Sequence, residues 1–288
     1  MRFTRLMHLV LPALAAGLLS ACGYTSLSIT SGIVGSGNVV AEIREIGSIQ
    51  AVVLNSGGEL TITQGETNSL VIRADDNILP LLTSDVSDGA LVLELKRGAS
   101  GYTTNTGVSY QLTVSDLDTI TANSAGNVKV EALLADHVAL ILNGSGDINV
   151  ERIEAETADF ELASAGSLVV TTVDARTVAL LIGGSGDASI AHLNATTLDT
   201  RLVSAGDATI SGSAEHQQVR LQGSGSFHGE TLAGADATLD LSSSGNASVN
   251  VAETLDVTIS GSGSVTYHGD PAISQQLSSA GQLIHAAR

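Results

Sequence analysis

The chain of 288 residues has few cysteine, aromatic and basic residues. It contains one cysteine and no tryptophan, and aromatic residues make up 2% of it. A single cysteine excludes a disulfide framework and a cysteine-based metal cluster. Lys and Arg number 12 against 30 Asp and Glu, a formal net charge of −18. This acidic balance argues against a nucleic-acid partner, because binding to phosphates requires clustered Lys and Arg.

The first 21 residues have the pattern of a bacterial secretory signal peptide. Arg2 and Arg5 form a short positive region, and an apolar stretch follows from 6 to 19. The next residues, LSAC, end at Cys22 and resemble the lipobox of bacterial lipoproteins. This resemblance implies cleavage before Cys22 and a lipid anchor on it, with acyl chains such as palmitate. The alternatives are an ordinary cleaved signal with an incidental cysteine, or an uncleaved signal anchor.

These features predict an exported protein that is anchored in the cell envelope and contacts the membrane through its lipid. Residues 22–34 are expected to form a tether between the lipid and the folded part. Gly23, rather than an aspartate, follows the cysteine, and in lipoprotein sorting this favours the outer membrane where a cell has one.

Glycine is frequent, at 31 residues, and nine glycines recur at a nearly constant spacing. Each is the fourth residue of a short motif such as NSAGN, NGSGD or ASAGS, and successive glycines are 20, 20, 20, 20, 19, 20, 18 and 18 residues apart. We expect each to supply a left-handed conformation at a tight turn. These structural turn glycines are Gly126, Gly146, Gly166, Gly186, Gly206, Gly225, Gly245, Gly263 and Gly281.

The positions around each glycine alternate between apolar and polar residues. Leu, Ile, Val or Ala usually stands four residues before the glycine, and again two and four residues after it. Such alternation is typical of strands. A unit of about twenty residues that repeats in register predicts an all-β fold, a parallel β-helix or β-solenoid. The alternative is an antiparallel meander with one hairpin per repeat.

The repeats are regular over 121–288 and less regular over 35–120. Around Gly58 the repeat offsets still give Leu54, Leu60 and Ile62. The following segments read as longer strands joined by a loop rich in Gly, Thr and Ser. We therefore expect 35–120 to be an atypical N-terminal β region that caps the solenoid, since terminal units of repeat proteins shield an open end.

Three segments resemble a known bacterial family. They are REIGSIQAVVLNSGGELTITQGE, IRADDNILPLLTSDVSDGALVLEL and LTVSDLDTITANSAGNVKV, and the SAG and GSG turns continue the likeness to near residue 285. The family is the one called putative auto-transporter adhesin, head GIN domain. The resemblance implies a β-helical fold and a location in the cell envelope, and it supplies no catalytic residue.

The GSGD turns invite comparison with calcium-binding repeats that place carboxylates on stacked turns. Asp187 and Asp207 follow glycines on adjacent coils, about 5 Å apart at the usual strand spacing, which makes them weak candidates for a shared cation. The alternative is that both are ordinary turn residues whose side chains bond to nearby backbone. No other metal site and no cofactor is expected.

A polysaccharide-acting enzyme would need paired carboxylates. The repeats offer acidic candidates on outward positions, with Arg201 and Arg220 in the same column as Glu161 and Asp240. A solvated sheet face with cross-strand charge pairs explains them equally well. We expect no enzyme activity and predict an adhesive or structural role, with an unknown protein or glycan as partner. The alternatives are a cation- or glycan-binding module and the enzyme. The outward acidic candidates are Asp159, Glu161, Asp199 and Asp240.

Overall fold

The computed structural model describes residues 32–278 and 280–286. The predicted signal peptide, Cys22 and the first part of the tether lie outside the described residues. No α-helix occurs in the described ranges, which contain one short 3₁₀ helix at Leu79–Leu81 and 21 strands. The strands are β1 Ile33–Val34, β2 Val39–Arg44, β3 Ala51–Leu54, β4 Glu59–Gln64, β5 Ser69–Asp75, β6 Leu82–Ser87, β7 Ala90–Leu95, β8 Tyr102–Thr103, β9 Ser109–Val114, β10 Thr119–Ala122, β11 Asn127–Leu134, β12 His137–Leu142, β13 Ile148–Leu162, β14 Leu168–Ile182, β15 Ala188–Leu202, β16 Ala208–Leu221, β17 Phe227–Leu241, β18 Ala247–Ile259, β19 Ser264–His268, β20 Ala272–Leu277 and β21 Gln282–His285.

The repeats form a parallel β-solenoid, as the periodicity predicts. In β13 to β15, Ile148 pairs with Leu168 and Leu168 pairs with Ala188, always in parallel. Each coil therefore hydrogen-bonds to the coil about twenty residues further along the chain. The antiparallel hairpin alternative is wrong for these repeats, because the pairing between consecutive repeats is parallel throughout.

Each coil has three sides. Between β13 and β14 the paired stretches are 148–150, 152–155 and 157–162, with interruptions at 151 and 156. The same interruptions recur between β14 and β15. We call the three stretches, in chain order, side A, side B and side C of a coil. The glycine turn then joins side C of one coil to side A of the next.

The core lies inside the stacked coils and is built from the apolar columns. Along β13 the buried residues point inward and the other side chains are at least partly exposed; the buried ones are Ile148, Val150, Ile153, Ala158, Phe160 and Leu162. A single coil cannot bury this inner face, so its neighbours on both sides complete the core. Burial of each such side chain stabilises the fold by about 1.5–3 kcal/mol.

The turn glycines do not have the left-handed conformation that we expected. None of the nine has a positive φ, although glycines such as Gly58 and Gly212 do. The reason for glycine is close stacking instead. A Cβ atom on Gly146 would come closer than 3.0 Å to the carbonyl oxygen of Gly126 in the preceding coil. The turns of successive coils therefore leave no room for a side chain.

The first coil of the solenoid is separated in sequence from the second by an insertion. Ala51 in β3 pairs with Thr119 in β10, and Glu59 in β4 pairs with Asn127 in β11. The inserted residues 65–118 include β5 to β9. Two of these strands, β7 and β9, pair in parallel with β3 and β4 on the other side of the first coil.

Antiparallel strands end the stack at its N-terminal side. On side A, β5 pairs with β9 and β2 pairs with β5. On side C, β6 pairs with β7.

A side chain within the insertion, Asp75, is buried and accepts hydrogen bonds from Thr104 and Thr106 hydroxyls at 2.7 Å. The loop before β2 is held by Asp76, which accepts hydrogen bonds from Ser36 and Asn38.

Candidate functional site

Over four coils, the outer face of side C carries two columns of side chains with a period of two coils. In one coil the outward pair is small and apolar, Ala139 with Ile141, and in the next it is acidic, Asp159 with Glu161. The following two coils have Ala179 with Leu181, and Asp199 with Arg201. Apolar and charged rows therefore alternate over these four coils, and like rows are about 10 Å apart at the usual strand spacing. The alternation ends at the next two coils, which carry Gln218 with Arg220 and Thr238 with Asp240.

A groove of about 470 Å³ lies on this face. It forms because Ala139 and Ala179 are too short to fill the space between their larger neighbours in the two columns. Its lining brings together five of the charged residues that the sequence singles out as outward candidates, while Asp240 lies one coil beyond Arg220 in the same column. The five are Asp159, Glu161, Asp199, Arg201 and Arg220.

The charges in the groove are only partly paired. Arg220 contacts Asp199 at 3.3 Å, and Arg201 donates a hydrogen bond to the Gln222 side chain at 3.2 Å. His137 Nδ1 lies 3.9 Å from Asp159 Oδ2. Within the described residues, Glu161 forms no ion pair. Exposed pairs of this kind contribute about 0–1 kcal/mol to stability, so these groups are available for contacts with a ligand.

A second groove, of about 620 Å³, lies on side A near the N-terminal coils. Lys129 and Asn149 line it, with Glu131 and Glu151 at the corner beside them. The two glutamates are on neighbouring strands, about 4.8 Å apart along the stack. A sugar-cleaving enzyme would need such a pair of carboxyl groups beside its substrate. The lining that the structure describes includes no aromatic residue, however, so the groove lacks the platform on which sugar rings commonly stack.

Asp187 and Asp207 lie in a ladder of side-chain to backbone hydrogen bonds. The backbone N–H of Asp207 donates to Asp187 Oδ1 at 2.9 Å, and the N–H of Ser226 donates to Asp207 Oδ1 at 2.6 Å. Asn127 and Asp147 extend the same pattern into earlier coils. One carboxylate oxygen of each candidate thus bonds to the next turn.

No group of three or more His, Cys, Asp or Glu side chains among the described residues could hold a metal ion. Calcium binding by Asp187 and Asp207 stays a prediction. None of the helices within 32–278 and 280–286 is long and apolar enough to cross a membrane.

The two-coil period also appears in the turns. Ser164 Oγ donates a hydrogen bond to the carbonyl oxygen of Gly144 one coil before it. In the next coil Gly184 follows, and a Cβ atom there would come closer than 3.0 Å to the Ser164 backbone. Serine and glycine therefore alternate at this position. In the sequence, SAG and GSG turns alternate in the same way as Ala and Asp do at 139, 159, 179 and 199. This shared two-coil period is the sequence signal that could have located the groove.

The fold is an all-β solenoid with grooves on its outer faces. The family model described as "Putative auto-transporter adhesin, head GIN domain" matches residues 48–171 and 161–271. The chain belongs to this family, as its sequence motifs predict.

Solved structures similar in fold come from Parabacteroides. One is described as a "Putative lipid binding protein" from Parabacteroides distasonis, with a TM-score of 0.68 and 20% identity over 89% of this chain and 100% of that one. Two are described as putative adhesins. The one from Parabacteroides merdae has a TM-score of 0.62 at 20% identity, and the one from Parabacteroides distasonis has 0.65 at 19%. Each of these two alignments covers 89% of this chain and 100% of the other chain. No curated protein is significantly similar in sequence. The family and these two neighbours are described as adhesins, not as enzymes.

Proposed function

We propose that the chain is an adhesive protein of the bacterial cell envelope, exported and held at a membrane by a lipid on Cys22. The family description supports an adhesive role, and the LSAC motif before Gly23 supports the lipid anchor. In this proposal the solenoid displays its outer faces to a surface, a protein or a glycan. Many weak contacts in parallel suit such an elongated repeat surface.

The observation that carries the adhesive proposal is the groove on side C. Its alternating apolar and charged rows offer a ligand both aliphatic contact, from Ile141 and Leu181, and hydrogen bonds, from Glu161 and Arg201. Carboxylates accept hydrogen bonds from hydroxyl or amide groups, and the Arg guanidinium donates to carboxylate or carbonyl oxygen. Both a glycan and a polypeptide present these groups.

Attachment of cells to a surface tests the adhesive role. A strain without the protein is expected to attach less, and the wild-type gene to restore attachment. The double variant Glu161→Ala with Arg201→Ala is expected to restore little. The matched control is Arg152→Ala with Glu154→Ala, which removes an exposed ion pair on side B. If the control variant fails as badly as the groove variant, the groove is not the adhesive site, and unchanged attachment in the deletion strain refutes adhesion.

Cell fractionation tests the anchor. The wild-type chain is expected in the membrane fraction. Cys22→Ala, with residues 1–21 replaced by an ordinary cleavable signal peptide, is expected in the soluble envelope fraction with the same abundance. Cys22→Ala also removes the thioether on which the lipid is carried, so labelling with a radioactive fatty acid should disappear with it. A Cys22→Ala chain that stays in the membrane fraction refutes lipid anchoring.

A further inference from the structure

Strand β2 is an unprotected sheet edge at the N-terminal side of the solenoid. In the described part of the chain it pairs only with β5. Its side chains are unusually exposed for apolar residues, with Ile43 at 76%, Val39 at 48% and Val40 at 36%. An exposed apolar edge strand is a ready template for pairing with another strand, so this edge requires an explanation.

The backbone groups at the free edge belong to the odd-numbered residues. The Asp76 N–H donates to the Asn38 carbonyl oxygen at 2.9 Å, immediately before the first ladder pair, Val39 with Asp75. Residues of an antiparallel ladder alternate between hydrogen-bonded and non-hydrogen-bonded pairs. The bond at Asn38 shows that the even-numbered residues of β2 bond to β5. The N–H and C=O groups of Val39, Ala41 and Ile43 therefore point away from β5.

The charges of β2 do not guard this edge. Its one acidic and one basic side chain, Glu42 and Arg44, pair with each other at 3.0 Å. Arg44 also donates to the Leu82 carbonyl oxygen at 2.8 Å and to the Ser84 hydroxyl at 3.2 Å, which holds it over β6. Natural edge strands are commonly protected by an unpaired lysine, a proline or a bulge. β2 contains none of the three.

A lipid surface fits this edge poorly. It would cover Ile43 and Val39, but hydrocarbon offers no hydrogen-bond partner to the free backbone groups between them, and open sheet edges do not occur in the bilayer core. A second peptide strand satisfies both the backbone groups and the apolar side chains.

We propose that β2 pairs antiparallel with β2 of a second copy of this chain, with Ala41 at the two-fold axis. Ala41 then lies opposite Ala41 of the partner subunit, and Val39 lies opposite Ile43 of the partner subunit. In this register Val39, Ala41 and Ile43, whose backbone groups point away from β5, all lie in hydrogen-bonded pairs. The two most exposed apolar side chains of the strand cover each other on the same face, and apolar cross-strand pairs of this kind stabilise sheets.

A shift by two residues toward Asn38 would place Ile43 opposite Gly37 of the partner subunit and leave it without an apolar partner. Charge disfavours the shifts toward Arg44. A shift by two residues would place Glu42 opposite Glu42 of the partner subunit, and like charges directly opposite destabilise a sheet. A shift by four would place Glu42 opposite Arg44 of the partner subunit. That arrangement would leave Val39 without an apolar partner and would compete with the contacts of Arg44 to Leu82 and Ser84. The dimer is independent of the adhesive role, and either proposal can fail alone.

Analytical ultracentrifugation of residues 22–288 carrying Cys22→Ala, so that neither the signal peptide nor a lipid is attached, tests the dimer. A concentration-dependent equilibrium between monomer and dimer is expected. Ala41→Pro removes an N–H that faces the free edge, so it is expected to leave the β5 ladder and the melting temperature nearly unchanged. It should weaken the dimer at least tenfold, and Ile43→Lys should do the same. The control is Ile284→Lys, at an apolar residue with 42% exposure in β21, far along the chain.

Two outcomes of this experiment refute the β2 dimer: a monomer at every concentration, or a dimer that Ala41→Pro and Ile43→Lys leave intact. A monomer that binds phosphatidylcholine vesicles, and loses that binding with Ile43→Lys, would assign the strand to a lipid surface and would likewise refute it.

Disulfide trapping tests the register. Hydrogen-bonded pairs have Cα atoms about 5.5 Å apart, within the range that a disulfide spans. Under mild oxidation Ala41→Cys is expected to form a covalent dimer. Val203→Cys, at an exposed position in the turn between β15 and β16, serves as the control for random collision. Efficient trapping through Ile43→Cys with none through Ala41→Cys refutes the proposed register.

Discussion

The carbonyl oxygen of Gly126 occupies the space that a side chain on Gly146 would need. A Cβ atom there would lie closer than 3.0 Å to that oxygen, a separation that real Cβ atoms essentially never show. The same relationship joins Gly146 to Gly166 and Gly166 to Gly186. Because the coils are parallel and in register, the turn of every coil rests on the turn before it. Glycine is therefore required by the contact between coils.

Gly186→Ala is expected to destabilise the protein by about 3 kcal/mol, since overpacking against backbone cannot be relieved by a side-chain rotation. The control is Gly183→Ala three residues earlier, where the nearest atom to a new Cβ is the Leu162 carbonyl oxygen at 3.8 Å. That variant is expected to be neutral or slightly stabilised, because alanine lowers the entropy of the unfolded chain. Urea unfolding measures both. Equal losses would show that the stacking contact is not the cause.

The architecture of the repeats could be predicted because stacking turns a spatial column into a sequence period. Leu142, Leu162 and Ile182 recur at one offset since each rests on the one before it. The cause of the turn glycines could not be predicted in this way. A glycine column shows that a side chain is not tolerated, and both a left-handed backbone and a close approach between coils have that effect.

The insertion and the groove needed the structure for different reasons. Ala51 pairs with Thr119, 68 residues ahead, and no period in the sequence reports a contact across an insertion of that length. The groove depends on two short side chains, Ala139 and Ala179, which stand on either side of the larger Asp159 in one column. Outward alanines carry little signal in a single repeat. Their recurrence in alternate coils is the signal.

Asp207→Asn and Asp207→Ala distinguish a backbone-capping role from a cation site. An asparagine at position 207 keeps a side-chain oxygen that can accept the hydrogen bond from the Ser226 N–H. Asp207→Asn is therefore expected to change stability little. Asp207→Ala leaves that N–H without its partner and is expected to cost about 1 kcal/mol. Thermal melts with calcium and with chelator measure the alternative. A rise of the melting temperature with calcium that Asp207→Asn abolishes would identify a cation site.

Thr200→Val is expected to stabilise the protein by about 1 kcal/mol. Thr200 stands in the inward column between Leu180 and Val219, and its Oγ1 is buried without a hydrogen-bond partner among the described residues. A buried hydroxyl without a partner carries a desolvation cost, and valine has nearly the same shape without that cost. Denaturant unfolding compares the two chains. Thr172→Val, at a partly exposed position on side B, controls for the added methyl group, and a loss of stability in Thr200→Val would mean that the hydroxyl has a partner.

Stability at high pH is expected to depend on Tyr110. Burial raises the pKa of Tyr110 to about 12, above its usual value of 10, and its hydroxyl lies 2.7 Å from the Ser56 hydroxyl. Folding therefore favours the neutral phenol. This contribution is complete below pH 10 and is lost as the pH rises from 10 to about 12. The unfolding free energy of the wild-type chain should fall more steeply over this interval than that of Tyr110→Phe, which cannot ionise there. Burial also raises the pKa of Tyr102, so Tyr102→Phe serves as the comparison. Parallel pH profiles for the wild type and Tyr110→Phe would contradict the role of Tyr110, whereas a difference confined to this interval would identify it as the group that titrates.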